Sequence, residues 1–324
     1  MSTTPDLADL RLLVAVDRTG GLGAAAREAG VSQQAVSQRV RALEHDLRVT
    51  LVARSPRGSR LTDAGALVAA WSADLLDAAD RLDAALESLR TRQAAPLRVA
   101  ASLTVAEYLV PGWLVRFRAD EDARDGRTDE RTDEAAVRPA ARVELTAANS
   151  TAVIDLVRRG VVDLGFVETP DLPGDLHLRT VAHDELVVVV PPGHPWATRP
   201  SITAAELAAT PLVVREAGSG TRRALQLALQ HHHLTPVEPA GELPTTGAVR
   251  AAVLASGAPA VLSALAVAEA LRSGALVRVP VADLRVRRRL VAVWLHEEPE
   301  PHARRFVETA VAGGGALQRA PLSR

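Results

Sequence analysis

The sequence contains neither cysteine nor lysine. Without cysteine there is no disulfide framework, no thiolate nucleophile and no cysteine-ligated zinc. Without lysine there is no G-x-x-x-x-G-K-[ST] phosphate loop, and all 38 basic residues are arginine. With the abundant alanine, that uniformity reads as the codon bias of a GC-rich genome. No apolar run reaches about 18 residues, and the opening MSTTPDLADL lacks a basic-then-apolar pattern. The expectation is a soluble, cytoplasmic protein without a membrane partner. What is present is a chain of 324 residues, 47% hydrophobic and 24% charged, with net charge -1. That suits two or more domains with real cores and argues against wholesale disorder. The neutral total hides an asymmetry, because residues 1–60 carry nine arginines against six acids. Within residues 39–60 the ratio is six to two. A basic end on a balanced chain points towards nucleic acid.

Helical periodicity begins at once. Leu7, Leu10, Leu13, Val14 and Asp17 form one face, with Asp6 as N-cap and Gly20-Gly21 as the stop. A short alanine-rich helix, Leu22 to Ala29, follows, closed by Gly30. Ser32 then caps a helix from Gln33 to about His45. Helix, glycine turn, and a second helix opening with polar residues is a helix-turn-helix arrangement. Val36, Val40 and Leu43 make its buried stripe. Ser32, Gln33, Gln34, Ser37, Gln38 and Arg41 lie elsewhere and are the candidates for base edges and phosphates in a major groove. Residues 49–61 read as two short strands around a Pro/Gly turn, a wing whose Arg54, Arg57 and Arg60 are spaced for backbone or minor-groove contact.

The run AAAREAGVSQQAVSQRVRALEHDL…LVARSPRGSRLTDAG closely resembles the winged helix-turn-helix of LysR-type transcriptional regulators, over about residues 6–66. The pattern departs in four places. Gly23 stands where a capping Ser is usual, Gln34 where Pro is common, Gln38 where Arg is frequent and Val52 where the wing has Phe.

After Thr62-Asp63 one long helix is expected to about Gln93. Val68, Trp71, Leu75, Ala78, Leu82, Ala85 and Leu89 alternate three- and four-residue steps, a seam for pairing with a second copy. Asp74, Asp77 and Asp80 lie on the other side. Two recognition helices would then read an inverted repeat in double-stranded DNA.

Beyond Ala94-Ala95-Pro96, β-like and helix-like runs alternate, which implies parallel sheets covered by helices. Residues 119–141, with eight acids and four arginines, interrupt the pattern and are expected to be a disordered insertion. The resemblance continues through ASLTVAEYLVPGWLVRF, ELTAANSTAVIDLVRRGVVDLGFVE and VREAGSGTRRAL. It implies an α/β fold: a winged helix-turn-helix (1–61), a dimerisation linker helix (62–94), then an effector domain (95–324) of two Rossmann-like lobes of periplasmic-binding-protein type. Lobe I would take 96–168 and 270–324, and lobe II 169–269. REAGSGTR is similar to a subgroup that includes carbon-fixation and sulfur-assimilation regulators. Pro259 departs from the family's Gly-Ile run.

In open α/β sheets, ligands sit at strand C-termini where helix N-termini converge. Four corners qualify, each with small polar residues: Ser102 and Thr104; Asn149 and Ser150; Ser219, Gly220 and Thr221; and Thr246. Free N–H groups there favour a small anion. An enzyme is disfavoured. Gly218-Ser219-Gly220 has the wrong spacing for a nucleophile elbow, and no acid/base pair stands out. His231, His232 and His233 are consecutive on a helix and point apart, so no metal or other cofactor is expected. The reading is a homo-oligomeric regulator, dimeric through 64–93 and assembling to a tetramer. It would bind an anionic effector and act on RNA polymerase. The competing reading is a solute receptor without a DNA role.

Overall fold

The computed structural model describes residues 5–55, 58–91, 96–124 and 142–317. The chain divides into two compact units, residues 1–92 and 93–324.

In the first unit, α1 (Leu7–Thr19) is capped by Asp6, whose side chain accepts from Ala8 N, and ends at Gly20 with φ 78°. Its buried face is Leu10, Leu12, Leu13 and Val16, while Leu7 is exposed. The expected face is therefore rotated, because α1 packs on α2 (Leu22–Glu28) and α3 (Gln33–Leu47) and also on α4 (Asp63–Thr91). The wing is β1 (Val52–Ser55) paired antiparallel with β2 (Gly58–Leu61). Along α4, Ala69, Ser72 and Leu76 are buried, whereas Leu67, Trp71, Leu75 and Leu82 are exposed, Trp71 to 67%.

The second unit continues with β3 (Leu97–Ser102), α5 (Leu103–Tyr108), α6 (Val110–Arg124), β4 (Val143–Ala148), α7 (Ser150–Arg158), β5 (Leu164–Val167) and β6 (His177–Val190). A 3-10 turn (Pro195–Thr198) leads to α8 (Ala204–Ala208), β7 (Val213–Arg215), α9 (Gly220–His231), β8 (Gly241–Leu243) and α10 (Thr246–Ser256). Last come β9 (Ala260–Ser263), α11 (Ala264–Arg272), β10 (Val277–Val279), β11 (Val286–Trp294) and α12 (Pro301–Leu317). Sheet order is β4-β3-β5-β11-β6-β9-β7-β8, with β10 beside β6.

The sheet is mixed, not parallel throughout. β3 pairs in parallel with β4 and β5, and β7 with β8 and β9, but β6 and β11 run antiparallel to each other and to their other neighbours. These two long strands belong to both lobes. Val181 and Ala182 of β6 and Leu290 and Ala292 of β11 lie in the core of lobe I. Leu186, Val188 and Val190 of β6, with Val279 and Val286, lie in that of lobe II. The chain thus crosses between lobes at Asp184 and Arg288, which face each other in register. That corrects the boundaries expected at 168/169 and 269/270.

The acidic segment is corrected in part. α6 continues to Arg124, because Glu121 accepts from Arg305 of α12 at 2.7 and 3.0 Å. Burial raises the Glu121 carboxyl, but Arg305 and then His302 outweigh it and hold it below the usual range. Residues 125–141 lie outside the described residues.

Candidate functional site

In the first unit, Ser32 caps α3 by accepting from Ala35 N at 3.1 Å. Val36, Val40 and Leu43 are buried in the unit's core, as their spacing predicts. Gln33, Gln34, Gln38 and Arg41 are exposed at the N-terminal end and along α3, and Ser37 is half-buried. The Gln33 side chain lies over Gly23, where an added Cβ would stand 3.3 Å from Oε1. The N-cap of α2 is Gly21, with Gly23 already inside the helix, so α2 has no side-chain cap of its own. The wing supplies one, since Leu22 N donates to Ser59 Oγ at 3.0 Å.

Glu44 fixes the wing on α3, its Oε1 accepting from Leu51 N at 2.8 Å and Val52 N at 2.9 Å. Gly65, in the first turn of α4, has no room for a side chain: a Cβ would fall 2.0 Å from the Leu51 carbonyl oxygen. Arg54 stands opposite Ser59 in the wing ladder. Its side chain, and Arg57 altogether, lie outside the described residues.

In the second unit, the structure brings corners of both lobes onto one carboxylate that sequence reasoning missed. Glu168 follows β5 and is buried, like Asp184 and Arg288. Its Oε1 accepts from Thr104 Oγ1 of lobe I at 3.1 Å and from Thr221 Oγ1 of lobe II at 3.4 Å. Its backbone N donates to Ser150 Oγ at 3.3 Å. Arg288 donates through Nε and Nη2 to Asp184 Oδ2 at 2.9 and 2.7 Å, and through Nη1 to Thr221 at 2.9 Å. Arg288 Nη2 also stands 3.2 Å from Glu168 Oε2, as an ion pair without hydrogen-bond alignment. Ser263 Oγ completes the Asp184 shell at 2.9 Å. Gly220 is packed so tightly here that a Cβ would lie 2.9 Å from the Glu168 carbonyl and from Ser150 Oγ.

The other expected effector residues separate into two kinds. Asn149 caps α7 by accepting from Ala152 N at 3.0 Å, and Thr246 accepts from buried Arg215 at 3.0 Å. By contrast, the hydroxyls of Ser102 and Ser219 are buried without a partner among the described residues. Both residues are N-caps whose side chains make no capping bond, one at α5 and one at α9. Ser219 also borders a cavity of about 510 Å³ between α7 and α9. The arginines there are paired: Arg158 with Asp175, Arg223 with Asp171 and Arg222 with Glu242. Among the described residues, that cavity therefore offers no free cation.

A signal for Arg288 and Asp184 exists in the sequence. Along β11, Val286, Arg288 and Leu290 share one face by period two, and the stretch is buried at those positions. The same parity puts Asp184 with Ala182 and Leu186. Charges at inward positions of two strands mark a buried ion cluster. Among the described residues no group of three or more metal-ligating side chains occurs, and no helix is long and apolar enough to cross a membrane.

A winged helix-turn-helix in one unit and, in the other, a two-lobed domain whose corners converge on a buried polar centre define a DNA-binding protein with a ligand-sensing domain. Comparison with known proteins gives the family. Residues 7–66 match the model for bacterial regulatory helix-turn-helix proteins of the lysR family, and residues 135–314 match the LysR substrate binding domain. The chain belongs to the LysR family of transcriptional regulators. An uncharacterized HTH-type transcriptional regulator of Mycobacterium tuberculosis is 45% identical over 304 residues, covering 93% of this chain and 94% of the relative. A RuBisCO operon transcriptional regulator of Allochromatium vinosum is 30% identical over 220 residues, covering 68% and 67%. Among solved structures, the LysR family regulator CbnR superposes with TM-score 0.70 at 21% identity, covering 96% of this chain and 99% of CbnR. The regulatory domain of Synechocystis CcmR, solved with 2-PG, gives TM-score 0.56 at 22% identity, covering 67% and 96%.

Proposed function

We propose that this LysR-family regulator binds an inverted repeat in double-stranded DNA as a homo-oligomer and answers to a small anionic metabolite. The observation that carries the effector reading is the pair of buried, partnerless hydroxyls, Ser102 Oγ in lobe I and Ser219 Oγ in lobe II. Leaving a buried hydroxyl unpaired costs free energy, and an anion's oxygens would relieve both at once. The N–H groups opening α9 add a partial positive charge. The CcmR regulatory domain was solved with a small molecule, 2-PG, bound. In this reading Asn149, Ser150 and Gly220 shape the seat, while Thr104, Thr221 and Thr246 line it.

On the DNA side, Gln33, Gln34, Gln38 and Arg41 would read base edges, Ser32, Ser37 and Arg41 would reach phosphates, and Arg54 and Arg57 are assigned to backbone or minor groove. The exposed Leu67, Trp71, Leu75 and Leu82 of α4 form a stripe that a second copy would cover. Dimers joined into a tetramer would present two such DNA-binding pairs. An effector drawing the lobes together shifts the population of tetramer arrangements, and with it DNA bend and access of RNA polymerase. A soluble cytoplasmic location suits that role. The test is fluorescence anisotropy on the DNA beside the protein's own gene, with a panel of small oxyanions and phosphate esters. Ser102→Ala and Ser219→Ala should abolish the anion response and leave anion-free DNA affinity unchanged. A full response in both variants overturns the seat.

A further inference from the structure

We propose that Glu168 is a tethered anion that occupies the effector's seat and competes with the effector for the same donors, so that it sets which anions the protein accepts. The proposal rests on the anionic-effector reading above. Two observations lead to it. First, Thr104 and Thr221, one from each lobe, both donate to Glu168 Oε1. Each stands two residues from one of the partnerless serines, so the donors gathered for a ligand already hold a carboxylate. Second, the charges at the crossing of the lobes do not balance. Arg288 faces both Asp184 and Glu168, two carboxylates for one guanidinium, and all three are buried.

Asp184 takes both aligned hydrogen bonds from Arg288 to the pair. Glu168 Oε2 has no hydrogen-bond donor among the described residues. Glu168 is therefore the loosely held member. An anion arriving at Ser102 and Ser219 meets a net negative centre, and like charges repel strongly where water is excluded. It is accommodated only when Glu168 withdraws, and that withdrawal frees Thr104, Thr221 and one edge of Arg288. The incoming group must then accept from several hydroxyls and a guanidinium together, which selects a tetrahedral oxyanion or a phosphate ester over a monovalent halide. Without effector, the same carboxylate joins the lobes through one threonine of each.

The test is isothermal titration of the full chain with inorganic phosphate and with sulfate. It compares wild type, Glu168→Gln, Glu168→Asp and Ser219→Ala, with thermal melting as a control for folding. Glu168→Gln keeps the acceptor oxygen and leaves Arg288 on Asp184, so the fold should persist. Its anion affinity should rise at least tenfold. Glu168→Asp keeps the charge but draws it back by one methylene, and a rise of several-fold is expected. The Ser219→Ala variant identifies the part of the heat that belongs to this seat, as opposed to arginines on the first unit. Unchanged or weaker affinity in a folded Glu168→Gln, with wild-type binding that Ser219→Ala still removes, overturns the proposal and spares the anionic seat. Anion binding in neither wild type nor Glu168→Gln overturns both. If Glu168→Gln does not fold, a Glu168→Asp affinity equal to or below wild type overturns the proposal by itself.

Discussion

Replacing Arg288 by Met removes the cation that faces two buried carboxylates, and the cost can be worked out from the contacts. The Arg288, Asp184 and Glu168 side chains are 2%, 1% and 3% exposed. Breaking a buried ion pair by deleting one partner costs about 3–5 kcal/mol, because the survivor stays buried and uncompensated. Thr221 also loses its Arg288 hydrogen bond, about 1 kcal/mol more. The sum, roughly 4–6 kcal/mol, is a large fraction of the 5–15 kcal/mol that holds a typical domain together. The methionine arm retains most of the packed volume, so the loss measures charge and hydrogen bonding rather than a cavity. Urea unfolding of the effector domain, followed through Trp113, Trp196 and Trp294, reads it directly. Adding Asp184→Asn and Glu168→Gln to Arg288→Met should restore more than half of the loss. A loss below about 1 kcal/mol for the single variant, or no recovery in the triple variant, would refute the reasoning.

Other expectations follow from local contacts. Glu44→Ala strips two backbone N–H groups of their acceptor and should destabilise the first unit by about 2–4 kcal/mol in chemical denaturation, whereas Glu44→Gln keeps most of the stability. Gly65→Ala forces a methyl into the Leu51 carbonyl and should displace the wing from α4, read as loss of DNA binding in a gel shift. Gln33→Ala should change base preference in a binding-site selection. Arg54→Ala should weaken all sequences alike and flatten the salt dependence, and the reverse pattern would count against these roles. Arg199 and then Thr203 hold the Glu206 carboxyl at about 2. A group so depressed contributes its stabilisation above its ordinary value near 4.5 and loses it as pH falls through 2. An NMR carboxyl titration with a midpoint near 4.5 would contradict the ion pair.

The legible parts of the fold were those set by short-range chemistry. Ser32 and Asp6 cap the helices their side chains suggested, and Val36, Val40 and Leu43 form the buried stripe of α3 as expected. What escaped depends on distant partners. The first half of β6, HLRTVAHDE, is polar and partly exposed, and it is a strand because β11 pairs with it. α12 contains Gly313-Gly314, which locally argue against a helix. There the glycines let α12 approach closely, since a Cβ at Gly314 would lie 2.0 Å from the Val181 carbonyl oxygen. Acids 120–122 read as disorder because Arg305, the partner of Glu121, is 184 residues away. The candidate site was half legible. Its hydroxyl corners are local cap motifs, but that Thr104 and Thr221 meet on Glu168 follows only from the crossing of β6 and β11.

The most direct measurement is footprinting of the purified protein on the DNA beside its own gene, with salt varied and with or without phosphate esters. The account predicts a protected inverted repeat, lost at high salt, whose boundaries change with an anion in wild type but not in Ser219→Ala. No protection at low salt would contradict it and leave the two lobes to be tested as a solute receptor.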